Sequence, residues 1–178
     1  MNTALYIVAI FVGIIALDLI LWPVVRNYLR FRGDRVVTCP ENDQPAGVEV
    51  DALQAALSRG LRLKECSRWP ERQNCGQECL KQIEAAPDGC LVRTILGNWY
   101  AGKKCVLCGK PLDDIDWAEH RPALMSPDRK TVEWKDMVPE RVPEALATHL
   151  PVCWNCHIAT TFRREHPELV TERPWDRH

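Results

Sequence analysis

The sequence predicts an α+β protein in three parts: an N-terminal transmembrane helix, a small cysteine-rich domain, and a zinc domain of treble-clef or ribbon type. Three observations carry that expectation. An apolar run fills the first 25 residues of a 178-residue chain, nine residues are cysteine, and two Cys-x-x-Cys pairs stand about fifty residues apart. The expected boundaries are a transmembrane anchor over 1–25, a juxtamembrane linker over 26–47, a cysteine-rich α+β region over 48–100 and the zinc domain over 101–178.

The run from Ala4 to Val25 is almost entirely apolar. At 1.5 Å per residue it crosses a hydrocarbon core of about 30 Å. A cleavable signal peptide would begin with basic residues and end in small ones. Here Met1, Asn2 and Thr3 carry no positive charge and the run ends in Leu21-Trp22-Pro23-Val24-Val25, so a retained anchor is expected. Arg26, Arg30, Arg32 and Arg35 follow, against the single acid Asp34. Juxtamembrane arginines stay cytoplasmic, which predicts the N-terminus outside and the C-terminal domain in the cytoplasm. Asp18 sits within the span, where a carboxylate costs on the order of 3 kcal/mol on insertion scales and tends to face a partner. It is the expected contact with a protein partner in a membrane complex; the bland alternative is a tolerated interfacial acid.

Beyond residue 35 there are 19 Lys and Arg against 22 Asp and Glu. A slightly acidic surface disfavours nucleic acid as a partner, because phosphate contacts need a basic footprint. No Gly-rich phosphate loop and no nucleophile arrangement of Ser or Thr is present, which leaves little for a small-molecule enzyme.

The linker stretch 36–47 is rich in Pro, Gly and Asn and reads as irregular. Val48-Glu49-Val50 alternates like a short strand, Asp51 caps a helix that Gly60 closes, and Leu61 to Lys64 alternates again. Helical pattern over 76–86 puts Cys75 and Cys79 one turn apart at a helix start, where amide donors favour thiolates. Cys66, Cys75, Cys79 and Cys90, with Cys39 as a fifth, are candidate ligands for a second zinc or an iron–sulfur cluster. Buried free thiols and disulfides are the alternatives, the latter only outside a reducing compartment. A second helix is expected over 90–100, with Leu91, Ile95 and Trp99 on its core face. Residues 126–131 read as a turn between strands, and 139–149 as a turn and short helix leading to the second cysteine pair. Trp117, Trp134, Trp154 and Trp175 are expected to pack a small core around the metal.

Each knuckle, Cys105-Val-Leu-Cys108-Gly109 and Cys153-Trp-Asn-Cys156-His157, offers two thiolates. Either alone half-fills a tetrahedral shell, so Cys105, Cys108, Cys153 and Cys156 are the expected ligands of one zinc. The second knuckle can also be read as a c-type haem attachment signature, with Cys153 and Cys156 as anchors and His157 as axial ligand. That alternative leaves Cys105 and Cys108 without a role.

The segment from Cys105 to Arg164 resembles the His-Asn-His endonuclease class of treble clefs. The likeness rests on Cys105-Val-Leu-Cys108-Gly109, Glu119-His120-Arg121-Pro122, and Cys153-Trp-Asn-Cys156-His157-Ile-Ala-Thr-Thr161-Phe-Arg163. It covers about a third of the chain. The resemblance implies four structural cysteines, His120 as general base and His157 as ligand of a catalytic divalent ion. Glu119 stands where that class carries Asp, and Ala147-Thr148-His149 supplies no central Asn ahead of the second knuckle. With that Asn missing, the expected function is a membrane-anchored zinc accessory or scaffold protein, a small subunit of a membrane complex. An electron carrier, through haem or an iron–sulfur cluster, and a metal-dependent nuclease are the other classes.

Overall fold

In the computed structural model, which describes residues 2–169 apart from 59, 73, 114, 116, 118 and 119, the apolar run forms a single helix, α1 (Asn2–Phe31). Its segment Tyr6–Phe31 is long and apolar enough to cross a membrane. The chain divides into two compact units, Met1–Thr94 and Ile95–His178.

The first unit departs at once from the expected linker. Residues 34–50 form a hairpin of β1 (Asp34–Thr38) and β2 (Pro45–Val50), with α2 (Ala52–Leu57) and β3 (Leu63–Cys66) following. The three strands form one antiparallel sheet in the order β1-β2-β3. The Pro, Gly and Asn that suggested irregular chain lie in the hairpin turn and in β2 itself. There Ala46, Val48 and Val50 are buried with Val37 of β1, and core burial overrides local propensity. Asp51 caps α2 as expected, accepting from the Gln54 amide at 2.9 Å, but the helix stops at Leu57, three residues before Gly60.

Arg35 is the largest fully buried side chain among the described residues. Its guanidinium donates to the carbonyls of Arg30 (2.6 Å), Phe31 (2.7 Å) and Gly33 (3.0 Å), closing the last turn of α1. These carbonyls have no partner within the helix, and a cation at the negative end of the helix dipole satisfies both needs. Burial lowers its pKa from the ordinary arginine value.

The next helix, α3 (Leu80–Ala85), is shorter than the pattern suggested. Cys75 therefore lies in the preceding loop, with Cys79 at the N-cap, so the two thiols do not share a helix face. Ile83 anchors α3 in the core. The Gln82 side chain imitates a strand neighbour, accepting from the Thr38 amide at 3.0 Å and donating to its carbonyl at 2.6 Å.

Helix α4 (Val92–Tyr100) buries Leu96 and Tyr100, one position on from the expected face, while Leu91, Ile95 and Trp99 are half-buried. Tyr100 sets that rotation in the second unit. Its hydroxyl donates to the Ala123 carbonyl at 2.7 Å and accepts from the Trp134 indole at 3.1 Å, and burial pushes its pKa well up. Replacement by Phe strands both partners in the core. Tyr100→Phe is expected to cost about 1–3 kcal/mol in chemical denaturation, far more than its small loss of volume would.

The rest of the second unit is a small sheet, β4 (Ala123–Met125), β5 (Thr131–Val132) and β6 (Leu150–Val152), ordered β5-β4-β6 and antiparallel throughout. The turn over 126–130 joins β4 to β5 as expected. Helix α5 (Val142–Thr148) leads into β6, and α6 (Trp154–Glu165) follows directly. Leu124, Val152, Ala145, Leu112 and Tyr100 make the core, with Cys105 and Cys153 inside it.

Candidate metal centre

The first knuckle is a tight hairpin end. Lys104 bridges to Pro111, the Cys105 amide donates to the Lys110 carbonyl (2.8 Å), and the Gly109 amide donates back to the Cys105 carbonyl (2.8 Å). Gly109 takes φ +74°, which a side chain would resist, so its place after the second cysteine is a backbone requirement. The Val106 amide then donates to Pro151 of β6 at 3.0 Å, fixing this knuckle beside the second one. There Cys153 is the N-cap of α6 and Cys156 lies in its first turn.

The result is a set of four sulfurs, those of Cys105, Cys108, Cys153 and Cys156, all within 4.8 Å of one another. Cys108 and Cys153 stand 3.7 Å apart. A tetrahedral shell with metal–sulfur bonds of about 2.3 Å places its sulfurs roughly 3.8 Å apart, so the spacing fits one ion. None of the cysteines is in a disulfide. Charge supports the same reading. Burial opposes ionisation of Cys105, yet the amides of Cys153, Cys108 and Leu107 bring its thiol down to about 7. Burial and then the neighbouring sulfurs of Cys153, Cys108 and Cys105 push Cys156 far up. Four thiolates this close repel one another, and a cation relieves them. Its binding would release their protons.

His157 is buried in α6 and is not directed at this set. Its Nε2 meets the Glu133 carboxylate at 3.2 Å, and Glu133 also accepts from Lys135 at 2.8 Å. Glu133 is a partner that the sequence did not disclose, since it lies 24 residues away and no spacing rule links the two. Its carboxyl is held below the ordinary range, first by the Lys135 hydrogen bond and also by His157. A depressed pKa contributes stability that is complete above about pH 4.5 and lost as pH falls through the folded value. The stability gap between wild type and Glu133→Gln is therefore expected to close as pH drops below about 4.5, measured by thermal melts across pH.

His120 lines a cavity with Leu112, Ile115, Trp154 and Asn155 that also reaches Cys153 of the sulfur set. Among the described residues, His120 and His157 share no ion-sized group with any third ligand. Glu119, which completes the nuclease-like motif, lies outside the described residues, as does Trp175. Asp18 lies on α1 and is exposed there with the rest of the apolar surface.

No family model matches this chain, and comparison with the curated proteins and with the solved structures finds no match. The site stands on its own chemistry.

The five remaining cysteines separate. Cys39, Cys66, Cys75 and Cys79 line one small apolar cavity in the first unit, though they do not form a compact ligand group like the Cys105 set. Cys90 stands apart, its thiol directed at the Gln82 carbonyl at 3.8 Å and pushed up by burial, with Arg35 opposing. For Cys79, burial and the nearby sulfurs of Cys75, Cys66 and Cys39 raise the thiol to about 11.

Proposed function

We propose that this chain is a single-pass membrane protein whose second unit is a zinc treble clef, and that it serves as an accessory or scaffold subunit of a membrane complex. The observation that carries the reading is the four-sulfur set at ion-binding distance in a chain with one membrane-length helix. Knuckle, hairpin and helix follow one another in the order a treble clef requires, with the second pair of ligands at the helix start. Zinc is favoured among metals because four thiolates around one ion make a closed structural shell. Arg26 and Arg30 near the end of α1 and Arg32 just beyond it are exposed, and their charge favours a cytoplasmic second unit. Asp18 would meet a polar group of a partner helix.

The pairing of His157 with Glu133 favours scaffold over catalyst. A haem link would take Cys153 and Cys156 out of the sulfur set and His157 away from Glu133. A nuclease would need His157 released toward an ion that His120 could also serve.

The test uses the full chain in detergent micelles. Bound zinc without visible absorption supports the proposal; a haem spectrum sinks it, and so does metal-dependent DNA cleavage abolished by His120→Ala with folding intact. Topology is read by fusing a reporter active only in the cytoplasm to the C-terminus, where a silent reporter in well-expressed protein would reverse the orientation. A photo-crosslinker at position 18 that captures no protein in the native membrane would remove the partner.

A further inference from the structure

The turn that follows Cys39 shares the backbone frame of the Cys105 knuckle, with one added bond from the Asn42 amide to the Cys39 carbonyl at 3.3 Å. At Cys105, the residue before the cysteine pairs with a proline seven positions on, Lys104 with Pro111. At Cys39 the corresponding pair is Thr38 with Pro45. The Cys105 amide donates to Lys110, five residues ahead, and the Cys39 amide donates to Gln44, also five ahead, at 2.9 Å. The fourth residue on, Gly109 or Asp43, donates back to the cysteine carbonyl at 2.8 or 2.9 Å. That same residue has positive φ in both turns, +74° at Gly109 and +55° at Asp43. Asp is among the few non-glycine residues that take this conformation readily, so the turn keeps its shape without a glycine. Asn42 occupies the place of the second knuckle cysteine.

The other three thiols of the cavity come from chain tied to the same spot. Cys66 ends β3, and the Gln77 side chain accepts from the Leu63 amide of that strand at 3.1 Å. This fixes the loop that carries Cys75 and Cys79. The Gln77 amide is 3.4 Å from the Cys75 sulfur and donates to it. Gln82 of α3 clips Thr38, next to Cys39, and Arg72 meets Glu41 of the Cys39 turn at 3.0 Å.

We propose that Cys39, Cys66, Cys75 and Cys79 are the ligands of a second, independent metal centre of the thiolate-preferring kind, a zinc ion or an iron–sulfur cluster, and that Cys90 is not a ligand. In this centre a one-cysteine knuckle presents Cys39, while Cys66, Cys75 and Cys79 supply the sulfurs that a Cys-x-x-Cys pair cannot. Both kinds of centre use four thiolates, and the unit that holds them is separate from the one that holds the Cys105 set.

The experiment measures metal per chain on full-length protein purified without oxygen in detergent, together with an absorption spectrum and a sulfide assay. Wild type is expected to hold two centres. Cys105→Ser with Cys153→Ser should keep one, Cys39→Ser with Cys79→Ser should keep the other, and Cys90→Ser should keep both. Iron with acid-labile sulfide and visible absorption identifies a cluster; colourless protein with two zinc equivalents identifies zinc, and either result supports the centre. One equivalent in wild type, lost entirely in the Cys105 and Cys153 double variant, overturns it, as does a disulfide among the four found by thiol counting after denaturation in chelator. The Cys105 and Cys153 variant keeps the first unit's sequence intact, so the outcome does not depend on the Cys39 and Cys79 variant folding. Failure of the first site alone would leave one centre that survives that double variant, which separates the two proposals.

Discussion

Stripping metal from the Cys105 set is expected to unfold the second unit. Its core is small: β4 and β6 have three residues each and β5 has two. Cys105 and Cys153 are themselves core residues, packed with Leu112, Leu124, Val152 and Tyr100. The two knuckles are tied by one backbone hydrogen bond, Val106 to Pro151, and by their sulfurs. Structural zinc in small domains contributes about 10–16 kcal/mol of apparent binding energy, more than the whole stability of most domains. A strong chelator, or Cys153→Ser, should abolish the cooperative transition of this unit. The readout is the environment of Trp99 and Trp134, which pack edge-on against Tyr100 and report through near-UV circular dichroism. Retention of that signal in metal-free reduced protein would show that packing suffices and that the cysteines are not structural.

Arg35→Ala is expected to produce the largest loss among changes that leave every cysteine in place. The substitution removes three hydrogen bonds from a charged donor to the carbonyls that end α1. It also empties the most voluminous fully buried position among the described residues. Bonds to charged groups are each worth about 1.5–3 kcal/mol, and carbonyls left inside without a donor add to the loss, so a total of about 3 kcal/mol or more is expected. Lys cannot replace the fork, because one ammonium on a flexible stem does not reach three carbonyls in fixed directions. Arg35→Lys should recover only part of the stability. The measurement is denaturant unfolding of detergent-solubilised protein, and a variant within about 0.5 kcal/mol of wild type would reduce Arg35 to a surface-like role.

Arg35 also shows where sequence reasoning reaches its limit. As a letter it counted with Arg26, Arg30 and Arg32 toward a juxtamembrane charge cluster. In the fold it is a buried cap, and three arginines remain exposed. Nothing local distinguishes it from its neighbours, because the carbonyls it serves become available only when α1 ends and β1 turns under it.

The cysteine pairs behaved differently. Cys-x-x-Cys is a chelate whose geometry is local: the spacing, the glycine and the turn suffice to aim two sulfurs at one point. The set of Cys105, Cys108, Cys153 and Cys156 was therefore legible in the sequence, as were the membrane-length helix, the Asp51 cap and the turn over 126–130, each being a property of contiguous residues. The Cys39 turn was not legible, since its knuckle form lies in hydrogen bonds and a positive φ rather than in a second cysteine. The separation of Cys90 from the other four, the Glu133 partner of His157 and the rotation of α4 about Tyr100 were decided by tertiary contacts. They depend on which strand lies beside which helix, and a buried polar group takes whichever partner the packing brings within reach.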